Sequence, residues 1–114
     1  MGRDKSFTKS KNPDSKRYKK DMARHLDGMA LRCVTERKNG VEELIGKSGA
    51  IILKGDELII YSGQEILVRV NIFEMNAWEL MSLDGVVVTF PDPSGEDGTR
   101  TVIAHYSYYR KLED

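Results

Sequence analysis

This chain of 114 residues has little cysteine, proline or tryptophan: one, three and one residue, respectively. Its single cysteine, Cys33, cannot form a disulfide within the chain. No apolar run approaches the roughly 20 residues of a membrane-spanning helix. The first twenty residues are charged and lack the apolar segment of an export signal. We therefore expect a cytoplasmic protein with a reduced thiol and no transmembrane segment.

The net charge of zero hides a division along the chain. Residues 1–38 contain 12 basic and 5 acidic residues, a net charge of +7, whereas residues 39–114 contain 6 and 13, a net charge of −7. This asymmetry indicates a basic arm attached to an acidic body. Such an arm suits a polyanion such as nucleic acid, or a protein, including the acidic body of its own or a neighbouring molecule. Self-association is one of these alternatives.

The chain is predicted to have an arm and one domain. Residues 1–14 contain almost no apolar side chains, Phe7 being the exception after the initiator, so we expect this arm to be disordered. Residues 15–114 are predicted to be a single domain. It would begin with a helix at about 15–27 and continue as a β-rich body at 29–110.

The helix has recognisable start and stop signals. Asp14 or Ser15 can accept hydrogen bonds from its first free amides, and Gly28 is a natural terminator. The apolar residues that share one helix face are Tyr18, Met22, Leu26 and Met29, and we expect the helix to dock on the β-rich body through the first three. His25 lies among basic residues and is expected to be exposed.

The sequence after Gly28 alternates between apolar and polar residues, as strands do. Residues 31–36 predict a half-buried strand in which Cys33 is a small core residue. Asn39-Gly40 tolerates the positive φ angles of a tight turn and should end this strand.

A second hairpin is predicted around Gly55-Asp56. A two-residue loop there pairs Leu53 with Leu58 and places Lys54 opposite Glu57, a favourable cross-strand charge pair.

A third hairpin is predicted at Asp84-Gly85, joining strands at 78–83 and 86–90. Residues 91–100, PDPSGEDGTR, are predicted to be a polar loop before a last strand at 101–109. With an alternating strand around residues 66–72, the total is six to seven short strands. This count predicts a mainly β (α+β) fold: a small antiparallel β-barrel or sandwich with one N-terminal helix.

Over residues 15–72, a basic helix followed by a strand, an Asn-Gly turn and more short strands resembles an Sm-like RNA-binding barrel. The chain departs from that family in adding residues 78–109 and in lacking a second Sm motif. Seven strands with two clear hairpins also resemble a pleckstrin-homology-like sandwich, without its C-terminal helix. Neither resemblance transfers functional residues to this chain.

Gly46-Lys47-Ser48 superficially matches a phosphate-binding loop. Five residues, two of them glutamates, separate Gly40 from Gly46, whereas the motif has four, and a β-rich run follows where the motif requires a helix. We therefore predict a turn between strands at this position.

Two groups of residues are candidates for binding. The basic residues suited to contact with a polyanion are Lys9, Lys11, Lys16, Arg17, Lys19, Lys20 and Arg24. The aromatic and basic residues suited to stacking and phosphate contact at the end of the last strand are His105, Tyr109, Arg110 and Lys111. The alternation of that strand favours core packing for Tyr106 and Tyr108.

Catalytic chemistry has weaker support. Cys33, His25 and His105 are the residues an enzyme or a metal would use, but their spacing matches no known local motif, and the acidic residues are scattered. We expect no metal and no cofactor. The sequence favours a non-catalytic interaction module with a basic N-terminal arm. The alternatives are a nucleic-acid-binding protein and a small enzyme that uses His105 or Cys33.

Overall fold

The computed structural model describes residues 15–107. The predicted disorder of residues 1–14 lies outside this range, as do the binding candidates Lys9, Lys11, Tyr109, Arg110 and Lys111.

The helix α1 spans Lys16–Leu26. Ser15 caps it, because the Ser15 hydroxyl accepts a hydrogen bond from the Tyr18 amide at 3.1 Å. Gly28, with φ of 88°, reverses the chain after the helix. Met22, Ala23 and Leu26 are fully buried, so this face docks on the sheet as the periodicity predicts. The helix contacts β3, β6 and the short 3₁₀ helix Ile72–Glu74.

Eight antiparallel strands form one sheet: β1 (Ala30–Lys38), β2 (Val41–Gly46), β3 (Gly49–Lys54), β4 (Glu57–Ser62), β5 (Glu65–Asn71), β6 (Asn76–Glu79), β7 (Gly85–Glu96) and β8 (Thr99–Tyr106). Hydrogen-bonded neighbours run in the order β5, β4, β3, β1, β8, β7, β6. Strands β3 and β2 share one edge of β1, with β3 at Ala30 and Leu31 and β2 from Val34 to Lys38. The predicted mainly β fold with one N-terminal helix is confirmed.

The sheet is open, because the end strands β5 and β6 are not paired with each other in the described chain. Residues from both halves nevertheless meet in one core. Val68 of β5, Ile60 of β4, Val88 of β7 and Ala104 of β8 belong to the same buried cluster as Leu26 of α1. The predicted barrel or sandwich is compatible with this open sheet, which folds around a single core with the helix packed on it.

The predicted turn at Asn39-Gly40 and the predicted register of the hairpin at Gly55-Asp56 are both confirmed. Asn39 and Gly40, with φ of 52° and 78°, form the turn between β1 and β2, and Lys54 pairs with Glu57 across the turn between β3 and β4. Lys47 and Ser48 connect Gly46, the last residue of β2, to β3, so the turn between strands predicted at this position is confirmed.

The third hairpin is different from the prediction. Strand β6 ends at Glu79, residues 80–84 form the turn, and Gly85 is already the first residue of β7. Residues 91–96, predicted to be loop, continue β7. The actual turn to β8 lies at Asp97-Gly98, where φ is 55° and 74°.

The core position predicted for Cys33 is wrong. The pairing of β1 with β8 shifts between Leu31 and Cys33, so the alternation changes phase by one residue. Val34 and Glu36 consequently face the interior and are buried, whereas Cys33 and Thr35 are half-buried on the opposite face of the sheet.

Candidate functional site

The helix α1 presents a basic face on the side opposite its buried residues. Lys16, Arg17, Lys20 and Arg24 are all exposed. Together with Asp21 they line a surface depression whose described wall is made by α1 alone. Arg17, Lys20 and Arg24 follow the i, i+3, i+7 spacing, which aligns them along the helix. The structure thus brings together four of the seven residues predicted to contact a polyanion.

Lys19 has a different role from its neighbours. Its ammonium group donates a hydrogen bond to the Phe73 carbonyl oxygen at 3.1 Å, and this contact fastens α1 to the 3₁₀ helix. Lys16 lies 6.0 Å from the centre of the Phe73 ring, at the outer limit of a cation–π contact. Arg24 is bonded to Asp21 at 3.2 Å within the helix. Arg17 and Lys20 have no such contact among the described residues.

A polar cluster of His25, Glu79 and Tyr106 links α1 to the sheet on the side away from its basic face. The His25 ring nitrogen Nε2 lies 2.9 Å from Glu79 Oε2, and the Tyr106 hydroxyl donates to the same oxygen at 2.7 Å. The Tyr18 hydroxyl donates to the Ala77 carbonyl oxygen at 3.1 Å. Half-buried His25 therefore pairs with β6, contrary to the exposed position expected for it.

The hydrogen bonds of this cluster shift the pKa values of Glu79 and Tyr106. Burial alone would raise the pKa of Glu79, but the hydrogen bonds from His25 and Tyr106 outweigh it, and the pKa is lowered. Burial, followed by the hydrogen bond to Glu79, raises the pKa of Tyr106. The cluster consequently holds an ionised Glu79 beside a neutral tyrosine. This arrangement orients the helix.

Of the predicted aromatic and basic surface, only His105 lies in the described chain. The His105 ring lies on the outward face of the sheet, with Nε2 at 3.4 Å from Thr35 Oγ1 and 3.9 Å from Glu42 Oε1. Tyr106 packs in the core, as the alternation predicts. Cys33 pairs in register with His105 across β1 and β8. The sequence signal for this pair was absent, because 71 intervening residues separate the two side chains.

The described residues offer no arrangement of side chains suited to binding a metal ion. Residues 15–107 contain no group of three or more histidine, cysteine, aspartate or glutamate side chains placed to hold an ion. They also contain no helix long and apolar enough to cross a membrane.

Comparisons with protein-family models, curated proteins and solved structures found no match. Neither the Sm-like nor the pleckstrin-homology-like resemblance gains support from them.

Proposed function

We propose that this protein is a non-catalytic interaction module that binds nucleic acid, as a polyanion, through the exposed basic face of α1. The observation that carries the proposal is the alignment of Arg17, Lys20 and Arg24 on the solvent side of a helix whose opposite side is docked. A docked helix holds these cations at fixed separations, so they can contact successive phosphates without first being ordered.

The placement of these charges works against helix stability. The first turn of α1 contains no acidic residue and includes Lys16 and Arg17. Cations near a helix N-terminus oppose the helix dipole and cost about 0.3–1 kcal/mol each. Both side chains are exposed, and the only contact described for either is that of Lys16 with the Phe73 ring at the outer limit of a cation–π interaction, so compensation is small. A binding role accounts for charges that folding does not favour.

The chemistry of this face supports binding without sequence readout. Lysine and arginine on a helix surface neutralise phosphates, whereas discrimination between bases requires contacts with base edges. The net charge of −7 on residues 39–114 repels the same polymer. We therefore expect moderate affinity, a strong salt dependence and contact confined to α1 and the arm that precedes it.

Titration of labelled single-stranded RNA and duplex DNA tests the proposal. The variant combines Arg17→Gln, Lys20→Gln and Arg24→Gln. If three phosphate contacts are lost, the slope of log affinity against log salt for single strands should become shallower by about 2. The deletion of residues 1–14 is titrated separately, so that the arm and the helix can be distinguished.

A matched control neutralises three exposed lysines on the β-rich body, away from α1: Lys38→Gln, Lys47→Gln and Lys54→Gln. The overall charge changes equally in both variants. A larger loss of affinity in the α1 variant would therefore reflect the local role of this helix face. Equal losses would contradict a specific helix face. No binding of either polymer at low salt would refute the nucleic-acid role and leave a protein as the partner of the module.

The pairing of Cys33 with His105 favours the enzyme as the second candidate. If His105 acts as a base toward Cys33, alkylation of the Cys33 thiol at neutral pH should slow in His105→Gln. An unchanged alkylation rate would remove the chemical basis for this alternative.

A further inference from the structure

The 3₁₀ helix Ile72–Glu74 places an aromatic ring at the edge of the basic face of α1. Phe73 is half-buried: it packs against the buried core cluster, and the Lys16 ammonium group lies over its ring, 6.0 Å from the centre. Lys16 is itself exposed, so the ring face that it overlies is at the surface. An aromatic ring at the surface beside a cation is the combination with which proteins stack unpaired bases and contact their phosphates.

Three hydrogen bonds hold this ring in place. The Asn71 side chain accepts a hydrogen bond from the Phe73 amide at 2.9 Å. The Ile72 amide donates to the Asp56 carbonyl oxygen at 2.9 Å, and Lys19 donates to the Phe73 carbonyl oxygen at 3.1 Å. The last bond joins the 3₁₀ helix to α1 directly. The position of the ring relative to the basic face is therefore set before a ligand binds, which avoids the cost of ordering it on binding.

Three cations of α1 lead towards the ring. Lys16, Lys20 and Arg24 are four residues apart, so they share one side of the helix with a rise of about 6 Å from each to the next. Lys16, at the N-terminal end of this row, is the cation that lies over Phe73. A single strand whose successive phosphates follow the row would therefore bring a base to the ring at its end.

We infer that the basic face of α1 is selective for single-stranded nucleic acid, with one unpaired base stacked on Phe73. This inference rests on the proposed function. The phosphates of a single strand and of a duplex can both contact the cations, but a base inside a duplex reaches a protein ring only after it is unstacked and unpaired, which costs a few kcal/mol. Stacking tolerates any base, so it agrees with binding that does not read sequence.

The acidic body limits the contact to this one ring. Glu74 follows Phe73 and is exposed, so a phosphate placed beyond the ring would meet a carboxylate. This repulsion acts on phosphates and not on an uncharged base. The contact therefore extends past α1 by the Phe73 side chain alone.

Titration of a labelled single strand of DNA, and of the duplex formed from the same strand, tests the inference at low salt. Phe73→Leu keeps an apolar side chain but removes the aromatic ring. It should weaken single-strand binding about fivefold, which corresponds to about 1 kcal/mol of stacking, and should change duplex binding less than about twofold.

The matched control is Trp78→Leu, which removes an aromatic side chain that is 46% exposed. Trp78 alternates on β6 with buried Ala77, whose carbonyl oxygen Tyr18 contacts, so the indole faces away from the core. This variant should leave the affinity for both forms unchanged. Thermal denaturation of each variant shows whether the fold remains intact.

The variant Phe73→Trp/Trp78→Phe provides a second measurement at the ring itself. Its single indole, at position 73, should lose fluorescence when the single strand binds and keep it when the duplex binds. Equal weakening of both forms by Phe73→Leu, unchanged single-strand affinity, or an indole that does not respond to the single strand would overturn the stacking and leave α1 as a polyanion-binding face. Absence of binding of either form would overturn the proposed function and this inference together.

Discussion

The ion pair between Glu36 and Arg100 provides the sharpest test of how this fold is stabilised. Glu36 is only 6% exposed, and both of its carboxylate oxygens accept hydrogen bonds from the guanidinium group, Oε1 at 2.9 Å and Oε2 at 3.0 Å. Arg100 also lies 5.5 Å from the Phe90 ring centre and reaches the Leu67 carbonyl oxygen at 3.5 Å. The pair therefore joins β1, β5, β7 and β8.

Removal of one partner should be costly, because the other charge stays buried. This penalty is about 3–5 kcal/mol for a buried pair. Glu36→Ala should lie near the lower value, since Asp92 Oδ2 is 3.9 Å from Arg100 Nη1 and replaces part of the lost interaction. Arg100→Ala should lie near the upper value, because Glu36 then has no cation and the packing on Phe90 is lost.

The double variant Glu36→Leu/Arg100→Met should be much closer to the unmodified protein than the sum of the single changes. Apolar side chains of similar volume remove both charges, so neither charge is left buried without its partner. Urea denaturation of all four proteins gives the double-mutant cycle, with a coupling free energy of about 3 kcal/mol expected. Single variants that each cost less than about 1 kcal/mol, or a double variant that costs their sum, would refute the reasoning.

Three further perturbations test the helix, the polar cluster and the turn. Leu26→Ala should reduce the free energy of unfolding by roughly 2–3 kcal/mol in urea denaturation, and a change below about 0.5 kcal/mol would contradict helix docking; Lys20→Ala is the exposed control. Glu79→Gln should destabilise the protein above the usual carboxyl pKa of about 4.3, and the difference from the unmodified protein should shrink as the pH falls through the lowered pKa of Glu79. A difference that is constant with pH would show that the carboxylate charge is not involved. Leu83→Gly should be about 1 kcal/mol more stable than Leu83→Ala in thermal denaturation, because only glycine relieves the left-handed backbone, and equal stabilities would exclude strain at this residue.

Local sequence patterns predicted the parts of the fold that depend on neighbouring residues. The helix face containing Met22 and Leu26 follows from periodicity, and the turn at Asn39-Gly40 follows from residues that tolerate positive φ. The dipeptide Asp-Gly, which usually indicates a tight turn, shows that a local pattern alone does not always predict the structure. At 97–98 it forms a real turn, whereas at 84–85 the glycine belongs to β7 and Leu83 takes the left-handed conformation instead. Packing of Gly85 against Ala104 decides the second case, and this contact is not local.

The misplacement of Cys33 has a related cause. A single irregularity in the pairing of β1 with β8 reverses which residues face the core. Glu36 thereby becomes buried, and its partner Arg100 lies 64 residues away. No pattern within β1 contains this information. The basic face of α1 was accessible from sequence, whereas the His25–Glu79 contact that orients it was not.

The open sheet leaves two end strands, and long side chains occupy a carbonyl group on each of them. Tyr18 from α1 bonds to Ala77 of β6, and Arg100 from β8 reaches Leu67 of β5. Unpaired strand edges invite the addition of another strand, and proteins protect them by covering the edge groups. The same two side chains also stabilise the fold, because Tyr18 links α1 to β6 and Arg100 forms an ion pair with Glu36. These two carbonyl groups of the end strands are therefore already engaged within the chain. The basic face of α1 and the apolar turn at 80–84 are two of the surfaces at which side chains remain exposed in the described chain.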